Sequence, residues 1–223
     1  METVAAKPAA GAKMPDEPAR RAEPRRLVLA SASRARGALL RGAGLEFEMI
    51  ASEIDEAAAA DSLGAARGEI AGEDLAEILA RAKAESVSER QIGALVIGGD
   101  QVLTIGGRQL DKPVDVDGVR DQLLALRGAT HELASAVVLA EDGETIWTHV
   151  EVARVTLRAF SMKALGTYLA MAGADVIGSV GGYQLEGPGI QLIERVEGDY
   201  FTVLGMPLLP LIAELRRRGL ILE

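Results

Sequence analysis

Apolar and polar positions repeat with two different periods along this chain, and the places where the period changes mark its elements. Leu27 to Ala30, LVLA, is a short apolar run that suits a buried strand. From Arg34 to about Arg41 the spacing is helical, with Ser33 placed as the N-cap and Gly42 or Gly44 past the end. FEMIASEIDE predicts a second strand running into a loop, and residues 57–72 are Ala, Gly and acid with little pattern, a loop or a short helix. GEDLAEILARAKAESVSE predicts a helix whose apolar stripe is Leu75, Ile78, Leu79 and Ala82, with Lys83 at its edge. ALVIGGDQVLTIGGRQLDKP then changes to strand, hairpin and strand, with Gly106-Gly107 matching a two-residue primed turn.

Asp117 to Leu126 returns to the helical period, with Val119, Leu123 and Leu126 on one face and Gly128 as the stop. HELASAVVLA and TIWTHVEVARVTLR read as two strands joined at Glu141–Glu144, the second alternating as a half-buried antiparallel strand does. Ser161 caps a helix through about Met171, GSVGGYQLEGPG follows as a glycine-rich connection, and IQLIERV predicts a strand. Pro207 opens a last helix with Leu208, Leu211, Ile212 and Leu215 inward and Arg216 to Arg218 at its C-terminal end, where the dipole favours cations. Helices mixed with both isolated strands and hairpins predict an α/β fold with a mixed sheet. The first 26 residues are rich in Ala, Pro and charge and have no apolar period, so they predict a disordered tail before a single domain over residues 27–223.

Composition narrows the function classes. At 48% hydrophobic and 26% charged residues, the chain is an ordinary globule, long enough at 223 residues to bury a core without staples. It has no cysteine, which excludes disulfides, a thiolate nucleophile and a Cys-ligated zinc. A net charge of -9 argues against general nucleic-acid binding but leaves room for a local pocket of Lys and Arg. No apolar run approaches the ~20 residues that span a bilayer, and the N-terminus lacks a secretory apolar region. A cytoplasmic protein is expected.

Candidate chemistry gathers where strands end. ASASRAR puts two small hydroxyl residues, Ser31 and Ser33, between a strand and a helix, with Arg36 in the first helical turn. The free N–H groups of a helix start favour an anion, and Arg36 adds a bidentate fork, so the stretch fits a phosphate cradle. The competing reading of the same letters is a simple N-cap and a solvated arginine, since such caps are common. Asp100 follows VIGG at a strand end, where an acid either faces solvent or has a partner such as a metal. Glu53, Asp55 and Glu56 form an acidic cluster that fits a solvated turn as well as a metal site. Lys112 in LDKP is held extended by the following proline, while Lys83 by itself reads as a snorkelling surface lysine. His131 and His149 lie in strands without zinc-pair spacing and read as structural. The sequence holds no G-x-S-x-G, no G-x-G-x-x-G and no P-loop.

In order, ASASRAR, SEIDE, RAKAE, VIGGDQV, LDKP, RGATHE and GGYQLEGPGIQLIERVEGDYFTVLGMPL resemble the Maf family of nucleoside triphosphate pyrophosphatases, over nearly all of the chain from Leu27 onward. The resemblance implies an α/β fold with a mixed, twisted sheet in two lobes and a cleft between them, as in ITP pyrophosphatases. It implies cleavage of a triphosphate between its α- and β-phosphates with a divalent cation, Mg2+ or Mn2+. It also implies a homodimer in many members and a link with septum formation. By motif, Ser31, Ser33 and Arg36 would hold the triphosphate, and Lys83 and Lys112 would neutralise phosphate oxygens. Glu56 would serve the metal, and Asp100 would hold the metal or activate the attacking water.

The departures from the family pattern direct the substrate expectation. Arg34 and Ala35 stand where S-x-S-P-R-R members carry Pro-Arg. Pyrimidine-selective members carry Asp-Lys where this chain has Gly178-Ser179, glutamine where it has Glu186, and Ala-Asp-Thr where it has Gly99-Asp100-Gln101. In each place this chain is nearer the branch that resembles 7-methyl-GTP pyrophosphatases, so Glu186 and Gln101 become the base-recognition candidates. A carboxylate only accepts hydrogen bonds, which suits the adjacent N1–H and N2–H of guanine. Methylation at N7 adds a positive charge that favours a nearby anion. A dTTP or UTP pyrophosphatase, and a nucleotide-binding regulator that has lost turnover, are the alternatives.

Overall fold

The structure is a computed structural model that describes residues 25–65 and 68–222. Residues 1–24 of the expected tail lie outside the described residues; Arg25 pairs with Glu141, and Arg26 hydrogen-bonds Gln91. One seven-stranded mixed sheet organises the chain. β1 (Leu27–Ala30) lies between β2 (Glu48–Met49) and β3 (Leu95–Ile105) and is parallel to both. β5 (Thr130–Glu141), β6 (Glu144–Leu157) and β7 (Ile193–Glu197) extend the sheet antiparallel from β3. β4 (Arg108–Leu110) folds back on β3 through Gly106 and Gly107, whose φ values of 56° and 78° are those a primed turn requires.

Around the sheet lie α1 (Arg34–Gly42), α2 (Glu56–Ser62), α3 (Gly72–Ser88), α4 (Val116–Leu126), α5 (Met162–Ala172), α6 (Tyr200–Val203) and α7 (Leu208–Arg217). None of the described helices is long and apolar enough to cross a membrane. FEMIASEIDE contributes only the short β2 before Asp55 caps α2, because its partner β1 ends at Ala30. IQLIERV starts as a 3-10 turn over Pro188–Leu192, and its strand begins at Ile193.

α3 covers one face of the sheet with a stripe rotated from the predicted one. Leu75, Ala76, Leu79, Ala80, Lys83, Ala84 and Val87 are buried, whereas Ile78 is 40% exposed. The cause is close approach: a Cβ on Gly98 would stand 2.4 Å from the Ala80 carbonyl oxygen, so only small residues fit between helix and strand. Lys83, expected at the surface, therefore turns into the protein.

The opposite face carries two separate cores, and these correspond to the two-lobed division. Leu29, Leu40, Leu95, Ile97, Val137 and Leu139 pack with α7 near β1. Leu103, Leu133, Val155, Leu157 and Phe160 pack with α4 and α5 at the far ends of the same long strands. Between them the strands are polar, for Gln101 lies opposite Ser135, and Ser135 opposite Glu151.

Candidate active site

β3 is much longer than its neighbours on one side. β1 pairs with it only as far as Gly98, and β4 pairs with it only from Leu103 onward. Gly99 to Val102 therefore have no strand on that edge, and the sheet is notched at the carboxyl end of β1, where ligands enter open α/β sheets. Ser31 and Ser33 leave β1 at one rim of the notch, and Lys112 follows β4 at the other. Asp100, itself buried, stands between them on this unpaired edge of β3.

The serines do structural and polar work together. Ser33 accepts a hydrogen bond from the Arg36 N–H at 3.4 Å and caps α1. The buried Ser31 hydroxyl accepts from the Ser33 N–H and from Arg36 Nη1, each at 3.2 Å. Arg36 is only 7% exposed, which departs from the solvated reading. Its Nε donates to the Gly205 carbonyl at 2.8 Å. A Cβ on Gly99 would lie 3.3 Å from its Cδ and Nε, so the second glycine of VIGG gives the side chain its passage. Burial lowers the guanidinium pKa, while the charges of Asp100 and Glu56 oppose that shift.

Lys83 is 4% exposed and sits between two carboxylates. Its Nζ lies 2.5 Å from Asp100 Oδ1 and 2.8 Å from Glu56 Oε1. Glu56 opens α2, where the helix dipole favours an acid. Burial pushes its carboxyl up, but the Lys83 hydrogen bond and charge, with Lys112 and Arg36, outweigh this and hold it below the usual range. Three cations thus surround two carboxylates, a local positive excess on a chain of net charge -9. The acidic cluster divides its labour: Asp55 accepts from the Ala58 N–H, Glu53 meets Arg90, and only Glu56 turns into the site. Among the described residues no group of three His, Cys, Asp or Glu side chains is arranged to hold a metal.

Glu186 is exposed on the glycine-rich connection in the other lobe. Tyr168 braces that connection by donating to the Gly182 carbonyl at 2.9 Å. Desolvation, helped by the Glu186 charge, pushes the Tyr168 phenol up to about 12. The amide nitrogen of Gln101, the other base-recognition candidate, is engaged within the protein, by Ser135 Oγ at 3.0 Å and the Thr202 and Val203 carbonyls at 3.0 and 3.1 Å. Arg34 does not enter the notch; it is almost fully exposed and faces Asp175 at 3.8 Å. His131 is buried against Tyr183, Nε2 to hydroxyl 2.7 Å, and His149 stacks on Trp147. Two other concavities, about 280 Å³ along α5 and about 550 Å³ beside the Gly106-Gly107 turn, contain none of the predicted site residues.

Sequence reasoning missed Ser135, Thr202 and Gly205, which frame Arg36 from behind. The one signal was a serine at an inward position of HELASAVVLA, where the pattern calls for an apolar residue.

The family model described as Maf-like protein matches residues 26–218. A 7-methyl-GTP pyrophosphatase of Brucella suis biovar 1 (strain 1330) is 51% identical over 192 residues, 86% of this chain and 96% of that protein. A protein of the same description from Mesorhizobium japonicum is 49% identical, covering 88% of this chain and 98% of its own length. A nucleoside triphosphate pyrophosphatase of Nitrobacter hamburgensis is 48% identical, with 89% and 96% covered. The solved nucleoside-triphosphatase / dITP/XTP pyrophosphatase of Mycobacterium abscessus aligns with a TM-score of 0.36 at 16% identity, over 87% of this chain and 95% of that one. With nearly all of its described residues under the family model, and with relatives half identical along that stretch, this chain belongs to the Maf family.

Proposed function

We propose that this chain is a nucleoside triphosphate pyrophosphatase, a hydrolase of acid anhydrides that acts on 7-methyl-GTP in the cytoplasm. The observation that carries the proposal is the group at the notch beyond β1, where the buried Arg36, Lys83 and Asp100 meet the half-exposed Glu56. Hydrolysis of a phosphoanhydride asks mainly for positioning and charge neutralisation, and this group offers both. In the proposed reaction Ser31, Ser33 and the start of α1 hold the phosphate chain, while Arg36, Lys83 and Lys112 face its oxygens. Water attacks the α-phosphorus and Asp100 accepts its proton. The bond from the α-phosphorus to the bridging oxygen breaks, releasing the monophosphate and pyrophosphate.

Glu56 and Asp100 converge on Lys83 Nζ, and among the described residues no third acid joins them; a hard cation held there would complete its shell with phosphate oxygens and water. Glu56 and Asp100 would hold such an ion, Mg2+ or Mn2+, which supplies charge stabilisation at the phosphates when bound. Glu186 would accept from the guanine edge, and its negative charge favours a base made cationic at N7. The similarity to the 7-methyl-GTP pyrophosphatases of Brucella and Mesorhizobium supports that choice of base.

The test is a panel of common triphosphates plus 7-methyl-GTP with Mg2+ or Mn2+, the products resolved by chromatography. Monophosphate and pyrophosphate in equal amounts, fastest from 7-methyl-GTP, is the expected result. A preference for dTTP or UTP overturns the base assignment. Binding without turnover favours the regulator instead.

A further inference from the structure

Behind Arg36 lies a partly buried polar row that the proposed reaction does not use. Gln101, Ser135 and Glu151 stand opposite one another on β3, β5 and β6, between the two cores. Ser135 and Thr202 are fully buried. Ser135 Oγ accepts from Gln101 Nε2 at 3.0 Å and donates to the Thr202 carbonyl at 2.8 Å. Gln101 Nε2 also reaches the Thr202 and Val203 carbonyls, and Thr202 Oγ1 donates to Glu151 Oε2 at 2.7 Å. The row therefore grips α6 by its backbone. Two residues on, the Gly205 N–H returns to the Thr202 carbonyl at 3.1 Å, with Gly205 at φ 95°. The Gly205 carbonyl is the one that holds Arg36 Nε.

We infer that Ser135, with Gln101, is a positioning residue for the phosphate-binding arginine, acting through the Thr202–Gly205 turn. No hydrogen bond joins either side chain to the guanidinium itself; their effect passes through the Gly205 carbonyl. A buried serine in a strand is costly unless it is satisfied, and here its donor is spent on the Thr202 carbonyl while it accepts from Gln101, whose amide bonds the same turn. A planar guanidinium recognises phosphate only when its fork is aimed, so the turn's placement sets the alignment. A misplacement of about 1 Å can cost ~100-fold in rate, and losing one grip of several predicts a smaller effect.

The inference rests on the pyrophosphatase reading, and its experiment separates the two. Ser135→Ala and Arg36→Lys are made singly and together. Each protein is assayed for kcat/KM on the best triphosphate of the panel and for affinity toward inorganic triphosphate by calorimetry. Ser135→Ala is expected to lower both by ~10-fold, and to have no further effect once Arg36 is lysine. Equal losses in both backgrounds, or no loss from Ser135→Ala in the wild-type background, overturn the positioning role, since a merely structural serine acts independently of Arg36. If Ser135→Ala melts below the assay temperature, Gln101→Met, which removes the amide donors at similar length, takes its place in the same cycle. A wild-type protein that turns over no triphosphate fails the pyrophosphatase reading, while the calorimetric arm still decides the positioning role. A wild-type protein that neither binds nor turns over triphosphate overturns both.

Discussion

Lys83 joins three elements through one ammonium group, since its Nζ meets Asp100 of β3 and Glu56 of α2 from its own place on α3. Both Lys83 and Asp100 are almost fully buried, so each needs the other as its ion-pair partner. Lys83→Met is expected to destabilise the fold by ~3–5 kcal/mol, because it leaves a buried carboxylate unpaired. Asp100→Asn keeps the shape and removes the proton acceptor, so kcat is expected to fall ~100-fold or more. Thermal melts and steady-state kinetics on the two variants check both, and near-normal turnover in Asp100→Asn would remove Asp100 from the proposed step. Glu186 is the residue for base choice. Glu186→Gln, which adds a donor where the wild type only accepts, is expected to shift the 7-methyl-GTP to UTP ratio of kcat/KM toward UTP by ~10-fold. An unchanged ratio would move base recognition to another side chain. The identity of these residues was legible from their motifs, but the burial of Lys83 and Arg36 was not, because both lie on helix positions that an isolated helix would expose.

At the scale of elements, the pair Gly98-Gly99 shows how one dipeptide serves two contacts. Gly98 lets α3 approach β3, and Gly99 makes way for Arg36 on the opposite face. In Gly98→Ala the added carbon would lie 2.4 Å from a backbone oxygen, which no side-chain rotation relieves. A loss of ~1–3 kcal/mol is expected from such overpacking, seen as a lower urea midpoint with an unchanged slope. A wild-type midpoint would mean that α3 yields at no cost. The same contact explains why the predicted stripe on α3 was rotated. Periodicity located the helix, but it weighed Ile78 by hydrophobicity, and the close approach selected alanine instead. Caps were the most legible feature: Ser33, Ser161 and Pro207 sit at the helix starts their residue types predict.

At the scale of the whole molecule, stability is tied to pH through His131. The ring is 1% exposed, and burial lowers its pKa from 6.5 to about 4. Between those values the unfolded chain takes up a proton that the folded one refuses. The corresponding stability is fully present above the unfolded pKa and is lost as the pH falls toward the folded one. At pH 5 the loss is on the order of 2 kcal/mol. Unfolding free energies from urea titrations at pH 7 and pH 5 are expected to differ by about that amount more in the wild type than in His131→Asn. Equal differences would assign the acid sensitivity to other groups.

The sequence by itself determined the element types, most of the caps, the mixed α/β class and the residue types that phosphate chemistry needs. These follow from local rules, since the helical and strand periods and the capping preferences are written within a few neighbouring positions. Only the tertiary structure decided that β1 and β4 leave an open edge on β3 at Asp100, because that gap is a matter of strand register. Only it decided that Arg36 is aimed by Gly205, a residue 169 positions away. Such a contact leaves no periodic trace in the chain: it depends on two turns brought together by a sheet whose strands are far apart in sequence. The physical reason is the same for Lys83, whose charge is tolerated inside the protein only because folding delivers two carboxylates to it from other elements.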